Sequence, residues 1–244
     1  LAEITPKLEK VFAAWKKGAV PKKNVATVAH KAKSVLYLID KPQAPQSMVM
    51  AGHVAPPKSD ADDIAMNMMN NILGGTFTSR INMNIREEKH WSYGARSMLI
   101  DARGQRPFIA YAPVQGDKTK ETVQEIYREL KEILGARPAT QEELDKIQKN
   151  EILGLPGTWE TIGAVGGSLA DIVTYGLPDT YFKSYPDKVR GLKLGDISSA
   201  AAKTLHPDQL VWIVVGDRAK VEPTLKELGW GEIRVIDVDG HPVQ

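Results

Sequence analysis

The chain has 244 residues, 42% of them hydrophobic, with 32 Lys and Arg against 30 Asp and Glu for a formal charge of +2. That length and apolar content suffice for a full core, and the interspersed charges exclude the basic footprint of a nucleic-acid or anionic-membrane binder. Cysteine is absent, which removes disulfides and Cys-ligated zinc and leaves the compartment open, and no apolar run approaches the roughly 20 residues of a membrane span.

In chain order, "ITPKLEKVFAAWKKG" sets Ile4, Leu8, Val11, Phe12 and Trp15 at helical spacing and reads as an amphipathic helix capped by Gly18. A linker follows, then two strands, "SVLYLIDK" and "QSMVMAGHV", expected to form a hairpin or lie side by side. Ser59, with Asp62 three positions on, looks like the cap of a helix whose buried stripe is Ile64, Ala65, Met68, Met69, Ile72 and Leu73, ending at Gly74 and Gly75. Phe77, Ile81 and Ile85 predict a second short helix with Arg86 near its end. "YGARSMLID" and "PFIAYAPVQ" are strands, and Val123, Ile126, Tyr127, Leu130, Ile133 and Leu134 mark a strongly amphipathic helix before Gly135. Thr140 and Glu143 form a capping box. "ETIGAVGGSLADIVTYG" reads as a helix whose glycines allow close helix contact, followed by a short helix through Ile197 and Leu205. "QLVWIVVGD", "AKVEPTLKELG" and "EIRVIDVDG" close the chain as strand, helix and strand. This order predicts an α+β fold, a largely antiparallel sheet covered by helices on one face.

Catalytic zinc takes three protein ligands, commonly two histidines four residues apart with a nearby glutamate. The histidines are His30, His53, His90, His206 and His241, and neither HExxH nor HxxEH occurs. His53, on an apolar strand, reads as a half-buried structural residue, and His90, beside Glu87 and Glu88, as part of a solvated face. The glycines of "LGG" and "GAVGGS" fit helix capping rather than a phosphate loop, "GGSLA" lacks the second glycine of a serine nucleophile elbow, and Met66, Met68 and Met69 are core filler. Arg86 and Tyr93 remain: a fork of donors for a carboxylate or peptide carbonyl, and a hydroxyl able to donate to a forming oxyanion. These are helper roles, and on chemistry alone a local ion pair and a packed tyrosine are the commoner uses.

The segment "ILGGTFTSRINMNIREEKHWSYGARS" resembles the C-terminal half of the pitrilysin/insulinase family of zinc metallopeptidases, which includes the mitochondrial processing peptidases. The match comprises a helix ending in LGG, a Ser-Arg before an apolar residue, then Ile-Arg-Glu-Glu and a tyrosine seven residues after Arg86; weaker similarity covers nearly the whole chain. The resemblance implies two homologous halves around one site, one half carrying HxxEH and a distal glutamate for zinc and the other contributing an arginine and a tyrosine. This chain looks like the second half, without zinc or another cofactor of its own. Arg86 would hold substrate carbonyls and Tyr93 would donate to the oxyanion in trans, with an HxxEH-bearing partner half and a peptide as the implied partners. Glu87 and Glu88 would orient the helix end or pair with Arg80 or Arg86. Residues 1–24 would be the helical tail and linker of a preceding module and 25–244 the peptidase-family domain, so a longer chain or a separate subunit is expected. The glycine-rich loop of the processing peptidase's non-catalytic subunit is reduced to "GGTF". Bacterial relatives point to the periplasm. The alternatives are an inactive scaffold derived from the same family, or an independent enzyme using His90 and Glu88.

Overall fold

Six strands, β1 (Val35–Asp40), β2 (Gln46–Ala55), β3 (Arg96–Leu99), β4 (Arg106–Gln115), β5 (Val211–Gly216) and β6 (Ile233–Ile236), build one sheet in the order β3-β4-β2-β5-β1-β6. This is seen in a computed structural model that describes residues 1–243. β3, β4, β2 and β5 pair antiparallel, whereas β1 runs parallel to both β5 and β6. The α+β expectation holds, with a sheet that is mixed rather than antiparallel throughout.

The expected β1–β2 neighbourhood is corrected: β5 lies between them. The reason is its composition. "VWIVVG" is an almost unbroken apolar run, which favours a central position with both edges paired, and it registers with β1 from Val35↔Val211 to Asp40↔Gly216 and with β2 from Met48↔Val215 to Gly52↔Val211.

Buried and half-exposed residues alternate along β1, β2, β4 and β5, so one face of the sheet is covered and the other is open. Leu38, Val49, Ala51, Ala110, Ala112, Trp212 and Val214 point into the covered face. There they join Met66, Met68 and Met69 of α2 (Asp63–Asn70) and Val123, Ile126 and Leu130 of α4 (Thr119–Glu132) in one core.

Several helix boundaries differ from the sequence expectations. α1 (Ile4–Phe12) stops before Gly18 and buries none of its residues, because its apolar stripe meets no surface of this chain. α2 begins at Asp63, not Ser59, since the Asp60 side chain takes the Asp62 N–H in a preceding turn and so competes with the helix. α5 (Gln141–Thr158) carries the expected Thr140/Glu143 capping box. α6 (Ile162–Tyr175) is helical as expected, but its glycines make no close helix contact: Gly166 and Gly167 face open space. α7 (Tyr181–Gly191) was not legible as a separate helix because Pro186 interrupts its pattern. α8 (Leu194–Thr204) and α9 (Arg218–Lys226) complete the layer.

Candidate functional site

The segment from Asn71 to Ala95 is held in place from both ends. α2 continues into a wider turn, Asn71–Gly75, where capping was expected of the two glycines. Gly74 instead allows close approach: a Cβ there would lie 2.4 Å from the Ser97 Oγ and 2.5 Å from its backbone N. Asn70 completes the junction with β3, donating to the Ser97 carbonyl at 3.2 Å and accepting from the Ser97 hydroxyl at 2.7 Å.

The second helix is α3 (Arg80–Asn82), which widens into a turn, Met83–Glu88. Ile81 and Ile85 are fully buried, whereas Phe77 is exposed. Arg80 does not pair with Glu87 or Glu88. Its Nε and Nη2 each donate to Glu143 at 2.6 Å, and its other donors reach the carbonyls of Arg137 and Pro138. Burial pushes the Glu143 carboxyl up, but Arg80 and Thr140 outweigh it and hold it below the usual range. Asn84, also buried, donates to Glu125 at 2.7 Å and Glu129 at 2.8 Å, tying the turn to α4.

Arg86 therefore projects from a fixed turn. Its guanidinium lies 4.6 Å from the centroid of the Phe77 ring, and Nη1 is 3.3 Å from a Glu87 oxygen. Of the expected pairings for the two glutamates, Glu87 with Arg86 is the one found. The loop that follows is pinned to the sheet: the Trp91 N–H donates to the Ile85 carbonyl and the Gln115 N–H to the Trp91 carbonyl, each at 3.1 Å. The Ser92 hydroxyl donates to the Pro113 carbonyl, and the Ala95 N–H to Asn82. His90 takes a left-handed conformation, φ 58°, at the corner.

Tyr93, at the loop's tip, is 91% exposed. Arg86, Glu87, His90 and Tyr93 line one open cleft of about 510 Å³ with Gln46 and Gln115. The two residues singled out from the sequence thus share a cleft. Chemically it offers donors: a guanidinium, a phenol and two amides. His90 is exposed, as expected.

Sequence reading missed a second grouping, because its members lie far apart in the chain. The rings of His30, His53 and His206 sit 4.3 to 5.7 Å from one another. His53 stacks on Phe108, its Nδ1 faces the Val54 carbonyl at 3.0 Å, and its Nε2 accepts the His206 N–H. Burial lowers its pKa to about 4, with His206 and His30 adding to the fall, so it is a neutral structural histidine. Among the described residues one trio has ligand spacing for a metal, Asp237, Asp239 and His241. Asp237 is already engaged there, accepting the backbone N–H groups of Asp239 and His241.

The family model described as the peptidase M16 inactive domain matches residues 1–151. No curated protein matches the sequence. Among solved structures, the peptidase M16 inactive domain from Pseudomonas fluorescens is 24% identical with a TM-score of 0.79, over 88% of this chain and 51% of that one. A protease from Helicobacter pylori is 19% identical, TM-score 0.78, over 88% and 52%. A chain of complex III2 from Candida albicans is 12% identical, TM-score 0.69, over 91% and 55%. These likenesses show the fold, and the chain spans about half the length of each structure.

Proposed function

The chain belongs to the M16 peptidases, as a member of their inactive domain, and from that premise we propose that it is the substrate-positioning half of a zinc endopeptidase. The zinc, and the water it activates, would be supplied by an HxxEH-bearing half, in the same longer chain or in a separate subunit. Arg86 would hold backbone carbonyls of a bound peptide with its fork of donors, and Tyr93 would donate to the oxyanion as the scissile carbonyl becomes tetrahedral. A periplasmic setting is part of the same proposal and suits a sequence without cysteine.

The observation that carries the reading is the shared cleft. The Arg86 guanidinium lies over Phe77 on a turn that Asn84 ties to α4, yet remains partly open, and Tyr93 is almost fully free on a loop tied to β4. A tyrosine exposed in this way has no packing role to explain it, whereas a donor waiting for a substrate from another domain needs that exposure. A second reading, a scaffold with no part in catalysis, draws on the same fold in a chain of complex III2.

The two are separated by turnover in the assembled enzyme. Arg86→Ala and Tyr93→Phe should each lower kcat by about 10², the loss typical of a removed oxyanion donor, with unchanged thermal unfolding. Unaltered turnover in both variants would favour the scaffold.

A further inference from the structure

The register Gln46↔Gln115 to Ala55↔Arg106 places the Arg86 and Tyr93 cleft at one end of β2 and β4. Beyond the other end, about 30 Å away for a ten-residue strand, lies a separate cavity of about 180 Å³ between α5, α6 and α7.

Its walls are aromatic. Trp159 meets Phe182 edge-on at 5.7 Å and 80°, and Tyr181 stands at 5.1 Å from Phe182 and 5.9 Å from Tyr185. The Trp159 indole is fixed by donating to the Ser168 hydroxyl at 2.9 Å. Both phenols are tied back, Tyr181 donating to Asp63 at 3.2 Å and Tyr185 to Glu151 at 2.6 Å. Burial raises both hydroxyl pKa values, so they stay protonated donors.

Charge is unbalanced in this cavity. Lys58 sits 3.1 Å from both Asp63 and Asp101, and Arg106 pairs with the same two carboxylates, so these four groups sum to zero. Glu151, half-buried and accepting from the Tyr185 hydroxyl, and Asp171, exposed at the rim, also line the cavity, and among the described residues neither lies within ion-pair distance of a Lys, Arg or His side chain. Aromatic faces with uncompensated carboxylates attract an organic cation. The volume falls below the roughly 300 Å³ at which whole small-molecule sites begin, so it suits a side chain and not a cofactor. Leu155 and Leu177, also in the lining, offer apolar contact to an aliphatic stem.

We propose that this aromatic cage binds the guanidinium of an arginine presented by a polypeptide, at a position remote from Arg86 and Tyr93. A guanidinium stacks on aromatic rings while its edge donates to carboxylates, which matches both wall and charge.

The test needs no peptidase activity. The indole N–H resonances of the five tryptophans are followed in the full chain, with that of Trp159 identified by its loss in Trp159→Phe. N-acetyl-arginine amide should shift the Trp159 signal alone, saturating with a Kd on the order of 1 mM. Glu151→Gln and Asp171→Asn should each weaken binding about tenfold, with the other four indole signals unmoved as proof of an intact fold. The citrulline analogue, of the same shape without charge, should not bind. Equal binding of citrulline, tighter binding of putrescine than of the capped arginine, or an unmoved Trp159 signal at about 20 mM ligand would each overturn the proposal.

Discussion

The Arg86 guanidinium lies 4.6 Å from the centroid of the Phe77 ring, so a residue set nine positions earlier, and exposed rather than buried, fixes the direction of the candidate substrate-binding arginine. Cation–π contacts at exposed sites are worth about 0.5–1 kcal/mol, enough to bias a rotamer without contributing much to stability. Phe77→Ala should therefore raise KM of the assembled enzyme a few-fold, less than Arg86→Ala does, while leaving the melting temperature unchanged. Steady-state kinetics beside thermal unfolding would check both halves of that statement.

Asn84 supports the same turn from behind. Its amide donates to Glu125 and Glu129, and Glu129 is 1% exposed. Removing the donor leaves a buried carboxylate short of a partner, so Asn84→Ala should destabilise the chain by about 1–3 kcal/mol. Urea unfolding would show it as a lower midpoint with the same slope.

Two glycines make opposite predictions under one substitution. Gly74→Ala forces a methyl against the Ser97 backbone N at 2.5 Å and should cost about 1–3 kcal/mol of stability. Gly166→Ala, in α6 with open space around it, should stabilise by about 0.5 kcal/mol because the unfolded chain loses freedom. Chemical denaturation of the pair should give shifts of opposite sign.

The His53 site predicts an acid-sensitive fold. Its pKa falls from 6.5 to about 4 because burial disfavours the charged ring, so below pH 6.5 the unfolded state takes up a proton that the folded state refuses. Stability from this site is fully present above pH 6.5 and is lost as pH falls toward 4, by up to about 3 kcal/mol. The Val54 carbonyl, His206 and His30 face the ring and set the environment it reports. Unfolding free energies measured across this window should slope downward in the parent and flatten in His53→Gln.

Much of the fold was legible because its cues were local. The stripe from Ile64 to Leu73 is buried as its spacing required, and Thr140 with Glu143 caps α5 as a four-residue pattern can announce. What escaped was long-range. That β5 separates β1 from β2, that Arg80 spends its donors on Glu143, and that His30, His53 and His206 converge all depend on residues far apart in sequence. Gly74 shows the intermediate case: its place at a helix end was visible, but its close approach to Ser97 needed the position of β3. For the site, Arg86 and Tyr93 came from family resemblance, and spacing alone would have left them a surface pair.

The central claim is that this chain completes a peptidase site whose metal lies elsewhere. It is tested most directly by mixing the chain with an HxxEH-bearing M16 half from the same source and following a pool of quenched fluorescent peptides, with and without a zinc chelator. The account predicts zinc-dependent cleavage that requires both pieces and falls about 10²-fold with Arg86→Ala. Cleavage by the HxxEH half alone at the same rate, or none despite demonstrated association of the two, would contradict it.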